Sequence, residues 1–198
     1  MGLPAIPTLE GEHVRLEPLN HSHQEELALA CEDGKLYELW YTWVPSPESM
    51  SADIDRRLGL YAAGTMMPFA TIDKSSGKAI GMTTYMNMKL ENFKVEIGST
   101  WLAASYQKTA INPEAKLLML GYAFSDLNCI AVELRTHEKN SQSRAAIEKL
   151  GAKLDGILRN DMIMANRSIR NTAVYSIIKE EWPSVRERLI RRLEKLRN

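Results

Sequence analysis

A polar loop between a strand-like segment and an apolar helix has the residue types of a phosphate site. The segment spans residues 94–101, the loop spans 102–111, and the helix is predicted to begin at Asn112. The first N–H groups of such a helix have no partner within it, and the helix dipole adds positive charge there. Successive loop N–H groups can supply further donors. The sequence therefore indicates phosphate binding at this junction, although α/β folds contain many such junctions with a purely structural role.

The helix after this loop has the strongest helix signals in the chain. Asn112 suits the N-cap, Pro113 suits the first helical position, and Glu114 favours the positive end of the dipole. The residues behind them are apolar almost all round, which is typical of a buried helix. The loop lacks the glycine-rich run and the Lys-Ser/Thr pair of a P-loop, and it carries no dinucleotide-binding fingerprint.

Alternating and apolar segments elsewhere predict the elements that must position this junction. Ser22 and Glu25 form a predicted capping box for a helix through Cys31. Turn residues at 73–77 predict a hairpin between two of the strands. Strands are predicted near residues 14–18, 68–72, 79–85, 94–101, 130–136, 154–162 and 173–178, with further helices at 51–63, at 140–150 and from Pro183.

This order of elements predicts one α/β domain, residues 1–198, around a mixed central sheet of about seven strands flanked by helices. The unit from residue 94 to residue 136 should form a right-handed parallel crossover. Strict alternation places Val95, Ile97 and Trp101 on one face of their strand. Glu96, Gly98 and Thr100 are then expected on the other face.

Composition narrows the function classes. The chain has 25 Lys+Arg and 25 Asp+Glu residues among its 198, so its net charge gives no reason to expect a surface built for DNA or an anionic membrane. We expect no secretory signal and no membrane span, and hence a cytoplasmic protein. Cys31 and Cys129 lie far apart without metal-ligand spacing, so two free thiols and no metal site are expected.

Three stretches of the sequence together resemble the GNAT superfamily of N-acetyltransferases, most closely its RimJ/RimL-like branch. They read VEIGSTWL, YQKTAINPEAKLLMLGYAF and NCIAVELRTHEKNSQSRAAIEKLGAKLDGILR, and the resemblance covers nearly the whole chain. The pyrophosphate loop of the superfamily reads Arg/Gln-x-x-Gly-x-Gly/Ala. Gln107 fits this pattern, whereas Ala110 and Asn112 replace the small glycines. An alanine is tolerated at position 110 if the backbone φ there is negative.

The resemblance implies that the fourth and fifth predicted strands splay apart and hold acetyl-CoA between them. Backbone groups from Ile97 through Trp101 to Leu102 would bond the pantetheine arm, and one N–H would polarise the thioester carbonyl. Asn140 would reach the pantetheine, Ser143 would stabilise or protonate the leaving thiolate, and Arg144 would pair with a CoA phosphate. The pyrophosphate would be held by Gln107, Lys108, Thr109, Ala110, Ile111 and Asn112.

The implied reaction is direct attack of a neutral primary amine on the thioester, which requires a base. Glu96 is the candidate, directly or through water, and the alternative is a solvated or ion-paired strand residue. His137 is a rival base because the pKa of histidine suits this task. Trp40, Trp43 and Tyr85, with Tyr37 and Tyr41 nearby, would line the acceptor pocket, or else they belong to the core.

Two other functions stay open. The altered loop at Ala110 and Asn112 is compatible with a non-catalytic acyl-CoA-binding or regulatory module on the same fold. The last helix carries basic residues opposite its apolar stripe of Val185, Leu189, Leu193 and Leu196, so contact with ribosomal RNA is a further alternative to a solvated face. The resemblance implies a peptide or small-molecule amine as the acceptor, and both a monomer and a homodimer are compatible with the sequence.

Overall fold

The computed structural model describes residues 3–40, 42–164 and 166–197. Within them, eight strands form one sheet in the order β1-β2-β3-β4-β5-β6-β8-β7. The strands are β1 Leu9–Glu10, β2 Val14–Pro18, β3 Met66–Asp73, β4 Ala79–Lys89, β5 Lys94–Leu102, β6 Ala131–His137, β7 Lys153–Ile163 and β8 Ile169–Ile178. The helices are α1 Gln24–Glu32, α2 Met50–Ala62, α3 Ile111–Ser125, α4 Ser141–Leu150 and α5 Trp182–Arg197.

The sheet is mixed, because β5 and β6 pair in parallel while the other neighbouring pairs are antiparallel. The predicted α/β fold with a mixed central sheet is therefore confirmed, as is the hairpin between β3 and β4. The strand beyond the expected seven is β1, whose two residues are too few to give a periodic pattern. Helix α3 makes the crossover from β5 to its parallel neighbour β6.

Two apolar clusters cover the two faces of the sheet. On the α3 face, Val95 and Ile97 of β5 pack with residues of α3, α4 and α5. On the α2 face, Leu27 of α1 and Ile54 of α2 pack against Met82 of β4. The predicted apolar stripe of α5 includes Val185, Leu189 and Leu193, which are buried, but not Leu196, which is 46% exposed.

The first turn of α3 is clamped to the loop between β1 and β2 by Glu114. Its carboxylate accepts hydrogen bonds from the backbone N–H groups of Glu12, His13 and Val14 at 2.8, 2.7 and 2.8 Å. Gly11 makes room for this carboxylate, because a Cβ at Gly11 would lie 2.6 Å from the Glu114 Cδ atom. The position of Glu114 in the helix was predicted, but its long-range partners have no signal in the local sequence.

The predicted cap of the first helix is wrong. Asn20, not Ser22, accepts hydrogen bonds from the backbone N–H and the hydroxyl of Ser22 at 2.8 and 2.6 Å. A single 3₁₀ turn at His21–His23 precedes α1, and His23 closes the capping box with Asn20. Asn and Ser are both strong cap residues, so two candidates two positions apart cannot be separated by residue type alone.

No helix among the described residues is long and apolar enough to cross a membrane. Cys31 and Cys129 are buried free thiols, as predicted. Burial raises the pKa of each thiol to about 11. Both cysteines are therefore poor nucleophiles near neutral pH.

Candidate active site

A gap opens between β5 and β6 because their parallel pairing is short. In the described chain it joins residues 94–96 of β5 to residues 131–133 of β6. Beyond these residues β5 continues along β4 as far as Leu102, and β6 continues along β8 as far as His137. The predicted splay of these strands is thus confirmed, and Glu96 stands at the last paired position before the gap.

A β-bulge in β5 lies beside this gap. Thr84 pairs with Gly98 and Met82 pairs with Trp101, so Ser99 and Thr100 together oppose Thr83. Ser99 has a positive φ of 46°, a left-handed conformation that non-glycine residues adopt rarely.

The bulge corrects the predicted alternation of β5. Trp101 packs in the cluster of the α2 face rather than with Val95 and Ile97, and Thr100 contacts α3. Leu102 returns to the cluster of the α3 face. The extra residue of a bulge shifts the two-residue period by one, so all later side chains exchange faces. The cofactor contacts predicted for Ile97, Trp101 and Leu102 involve only their backbone groups, so this exchange of faces does not contradict them.

The start of α3 differs from the prediction. Asn112 is not the N-cap, because the helix begins at Ile111 and Ala110 precedes it with a φ of −68°. The Thr109 hydroxyl accepts a hydrogen bond from the Ile111 N–H at 3.3 Å and donates to the Tyr106 carbonyl at 2.8 Å. The alanine at position 110 is thus unstrained, and the left-handed residue of the loop is Lys108, with a φ of 61°.

Several backbone N–H groups at this junction have no acceptor. Within the described chain, the N–H groups of Lys108, Thr109, Ala110 and Asn112 make no hydrogen bond. The Gln107 side chain supports the loop by donating to the Leu102 carbonyl at 3.1 Å. Four donors in five residues, next to the positive end of a helix, suit a phosphate group.

Open space borders this helix start. A cavity of about 510 Å³ lies between the loop before α3 and the turns that follow β1 and β3. It is lined by Glu12, His13, Asp73, Lys74, Ser75, Tyr106, Thr109, Ala110 and Ile111. A ligand that binds the N–H groups of the loop could extend into it without displacing the core.

Glu96 lies on the α2 face and is 5% exposed. Its Oε2 atom accepts a hydrogen bond from Asn87 at 2.7 Å and lies 3.4 Å from the Arg135 Nε atom. Burial raises the pKa of Glu96, although the Asn87 hydrogen bond and the Arg135 charge oppose that shift. Its Oε1 atom accepts no hydrogen bond from the described residues and lies beside Gly98, where a Cβ would be 3.0 Å away.

Glu133 stands opposite Glu96 on β6 but has a different environment. It pairs with Lys94 at 2.5 Å and with Arg135 at 2.8 Å. Burial raises the pKa of Glu133, but the hydrogen bonds from Lys94 and Arg135 outweigh this effect and lower it overall. Two neighbouring carboxylates whose pKa values shift in opposite directions suggest different roles, and Glu96 is the one suited to take up a proton.

His137, the rival base, is 2% exposed at the end of β6. Its Nδ1 atom accepts a hydrogen bond from the Lys139 N–H at 3.1 Å. Burial lowers the pKa of His137, which favours the neutral imidazole. Its ring meets the edge of Trp40, with ring centroids 5.3 Å apart, so the loop between α1 and α2 reaches β6.

The aromatic residues assigned to the acceptor pocket separate into two groups. Trp40 and Trp43 are 50% and 67% exposed in the loop between α1 and α2. Tyr85 is fully buried on the opposite, α3 face, where its hydroxyl donates to the Met119 carbonyl. Tyr85 therefore belongs to the core, and its assignment to the pocket is corrected. Tyr41 lies outside the described residues.

Helix α4, which follows β6 in the chain, and its cap carry the remaining predicted residues. The Asn140 Oδ1 atom caps α4 by accepting from the Ser143 N–H at 3.0 Å, and its amide NH₂ donates to none of the described residues. Ser143 is half-buried in the first turn. Arg144 donates to the Tyr175 hydroxyl at 2.8 Å and to the Glu138 carbonyl at 3.3 Å, so its contact with a CoA phosphate stays a prediction.

The polar and charged neighbours of Glu96, and the burial of two basic side chains, were not predicted from the sequence. Asn87 and Arg135 contact Glu96 directly, and two-residue alternation along β6 could have placed Arg135 on its face. The lysine Lys116 and the arginine Arg57 are buried, although their residue types indicate a surface position. No pattern in the local sequence signals this burial.

The parallel strands that separate, the bulge and the unpaired N–H groups define a GNAT-type α/β fold. A model of the "Acetyltransferase (GNAT) domain" matches residues 13–153. The chain therefore belongs to the GNAT family of N-acetyltransferases, which are acyltransferases. The predicted resemblance to this family is confirmed.

Similar proteins agree with this assignment. A GCN5-related N-acetyltransferase from Brucella melitensis has a TM-score of 0.85 and 30% identity, over 96% of this chain and 86% of that one. RimJ of Mycobacterium smegmatis, solved with CoA-disulfide, shares the fold at a TM-score of 0.80 and 20% identity, over 96% of each chain. YdaF of Bacillus subtilis (strain 168), provisionally named a ribosomal N-acetyltransferase, is 31% identical over 54% of this chain. That match spans 57% of the length of YdaF.

Proposed function

We propose that this chain, as one acyl-CoA-dependent domain, transfers an acetyl group from acetyl-CoA to a primary amine. The observation that carries the proposal is the position of Glu96 at the point where β5 and β6 separate. A thioester lying in the gap would be next to a buried carboxylate whose pKa is raised. The acceptor is a protein N-terminal α-amine or a small-molecule amine, and the name of YdaF, a ribosomal N-acetyltransferase, favours a protein acceptor.

The residues present fit both the diphosphate and the pantetheine arm of acetyl-CoA. The N–H groups of Lys108, Thr109, Ala110 and Asn112 would bind the diphosphate, supported by Gln107. The edge of β5 from residue 98 to residue 102 would bind the pantetheine as an added strand would. When bound, acetyl-CoA supplies an activated acetyl thioester. The family match and the RimJ structure with CoA-disulfide support this choice of donor.

In the proposed reaction the residues of this chain move two protons. Glu96 removes a proton from the ammonium group of the acceptor, directly or through water. The neutral amine attacks the acetyl carbon, the new C–N bond forms, and the C–S bond breaks. Ser143 gives its hydroxyl proton to the departing thiolate and regains one from the attacking nitrogen, which loses its second proton as the amide forms, directly or through water. Trp40 and Trp43 would contact the acceptor at the mouth of the pocket.

Acetyl-CoA is expected to stabilise the protein against heat, whereas NAD and ATP are not. At a concentration about 100 times Kd, binding contributes about 2.7 kcal/mol, which corresponds to a rise in Tm of roughly 5–10 °C for a chain of this size. Differential scanning fluorimetry measures this shift. Release of CoA with a panel of N-terminal peptides, polyamines and other amines would then test catalysis and select the acceptor.

The possible outcomes separate the candidate functions. No stabilisation by acetyl-CoA, or equal stabilisation by ATP, would contradict acetyl-CoA as the donor. Stabilisation without turnover of any amine would instead indicate the non-catalytic acyl-CoA-binding module. A cytoplasmic location is part of the proposal, because acetyl-CoA and newly made proteins meet there.

Asn140→Asp tests the pantetheine contact separately from the helix cap. An aspartate oxygen can still cap α4, so the free energy of unfolding should change by less than about 0.5 kcal/mol. Loss of the NH₂ donor should weaken acetyl-CoA binding by roughly five- to tenfold, the effect of one hydrogen bond. Isothermal titration measures the affinity, and Asn140→Ser, which keeps a cap oxygen and lacks the NH₂ donor without adding a charge, should show a similar loss. Unchanged affinity in both variants would remove Asn140 from the site.

A further inference from the structure

A buried amine lies behind the bulge of β5. Lys116, in the second turn of α3, is 8% exposed. Its Nζ atom donates hydrogen bonds to Thr100 Oγ1 at 2.9 Å and to Thr83 Oγ1 at 3.3 Å. Among the described residues it has no carboxylate as an ion-pair partner. Two hydroxyl groups, one from each of two neighbouring strands, are thus its polar contacts.

A lysine in this place lowers the stability of the fold. Burial of an amine without a counter-charge is unfavourable, and it lowers the pKa of Lys116 to about 7. A methionine would fill nearly the same space with no charge to desolvate. We therefore expect the amine to have a function that an apolar side chain could not supply.

Thr100 connects this amine to the gap. Thr83 is 1% exposed, but Thr100 is exposed on β5 where that strand has separated from β6. In its protonated form Lys116 can only donate hydrogen bonds, so the ammonium group occupies an acceptor site of the Thr100 oxygen. The Thr100 hydroxyl can then donate its own proton to another acceptor. In the described chain it donates to the Gly98 carbonyl at 3.4 Å, and it shares a hydrogen bond with Thr83 Oγ1 at 2.8 Å in which either hydroxyl can be the donor. An oxygen of a ligand in the gap would replace the long hydrogen bond to Gly98.

We propose that Lys116 is a positioning residue that holds the Thr100 hydroxyl so that it donates a hydrogen bond to an oxygen of acetyl-CoA in the gap. Lys116 acts through Thr100, and a positively charged donor polarises the hydroxyl and strengthens its own hydrogen bond. The inference rests on the proposed function, because it requires acetyl-CoA to occupy the gap. It adds a contact to acetyl-CoA beyond those proposed for the loop at residues 107–112 and for Asn140 and Ser143 at the start of α4.

Four variants and one control test this contact by acetyl-CoA affinity and thermal stability. Lys116→Met and Thr100→Val should each weaken acetyl-CoA binding roughly five- to tenfold, and the double variant should lose little more than either one. Thr100→Ser should restore the affinity because it keeps the hydroxyl. The Tm of Lys116→Met without ligand should equal or exceed that of the wild type. Thr71→Val on β3, a matched loss of a buried threonine hydroxyl away from the gap, should leave the affinity unchanged.

The sign of the stability change distinguishes a positioning residue from a structural one. A merely structural Lys116 predicts a lower Tm in Lys116→Met and unchanged acetyl-CoA affinity in Thr100→Val, and this result would overturn the proposal. Additive losses in the double variant would also contradict it, because they would mean that the two residues act separately. If the wild type itself does not bind acetyl-CoA, the proposed function fails first, and the two failures are thereby told apart.

Discussion

Replacing Glu96 by glutamine is expected to lower kcat for amine acetylation by about 10²- to 10⁴-fold, the usual contribution of a general base. Glutamine has nearly the same shape and can still accept the hydrogen bond from Asn87. The Tm and the affinity for acetyl-CoA should therefore change little. Steady-state CoA release with the best acceptor measures the effect.

The pH dependence of this activity gives a second readout. A base must be deprotonated, so activity should fall as the pH drops through the pKa of Glu96. Burial raises that pKa, so the fall should begin at a higher pH than for an ordinary glutamate. In Glu96→Gln this loss of activity at low pH, the acidic limb of the pH profile, should disappear. Glu91→Gln, on the turn at Leu90–Asn92, is the matched control and should keep both the rate and the limb.

His137 provides the competing outcome. If Glu96→Gln keeps more than about a tenth of the activity and His137→Gln loses most of it, the histidine is the base and Glu96 is a structural partner of Asn87 and Arg135. The lowered pKa of His137 would then place the acidic limb below that of an ordinary histidine.

Glu114→Ala is expected to reduce the free energy of unfolding by about 3 kcal/mol, because it leaves three backbone N–H groups without their acceptor. For a chain of this size the Tm should fall by roughly 6–12 °C. Acetyl-CoA binding should also weaken, since the same helix turn carries the loop with the unpaired N–H groups. Urea unfolding and scanning calorimetry measure the stability.

Glu187→Ala serves as the comparison for this loss. Glu187 forms an exposed pair with Arg191 on α5, and removing it should cost no more than about 0.5 kcal/mol. A similar small cost for Glu114→Ala would show that water replaces the carboxylate, and that the clamp does not hold the helix start. The free energy of unfolding lost in Glu114→Gln should lie between the losses in Glu114→Ala and Glu187→Ala, because the glutamine amide retains one acceptor oxygen.

The parts of the fold that follow from simple periodicity were predictable. The buried strands are continuous or alternating apolar runs, and α3 combines an apolar sequence with a recognisable start. The order of these elements was enough to predict a mixed α/β sheet with a parallel crossover around α3. The loop with the unpaired N–H groups was located for the same reason, since it connects a strand to a buried helix, and phosphate binding there stays a prediction.

Features that depend on a single residue's backbone or on distant contacts were not predictable. The bulge at Ser99 exchanges the faces of Thr100 and Trp101, but a serine gives no sign that its φ will be positive. The helix starts before Asn112 because the Thr109 hydroxyl already serves the first N–H. Tyr85 was assigned to the pocket although β4 turns it towards α3.

The burial of Lys116 and Arg57 was not predictable for the same reason. Lys116 and Arg57 have side chains that usually lie at the surface, and their burial depends on Thr83, Thr84, Thr100 and Asp53, most of which are remote in sequence. Only the three-dimensional arrangement brings such donors to their acceptors. For this reason the sequence indicated where the cofactor would lie, but not which charged groups surround it.

The most direct test is a crystal structure of the protein with acetyl-CoA. We predict the diphosphate on the N–H groups between Lys108 and Asn112, and the pantetheine between β5 and β6. The thioester should lie near Glu96 and the Thr100 hydroxyl. A gap that is closed or filled by side chains, or acetyl-CoA bound only in the cavity beside His13 and Lys74, would contradict this account.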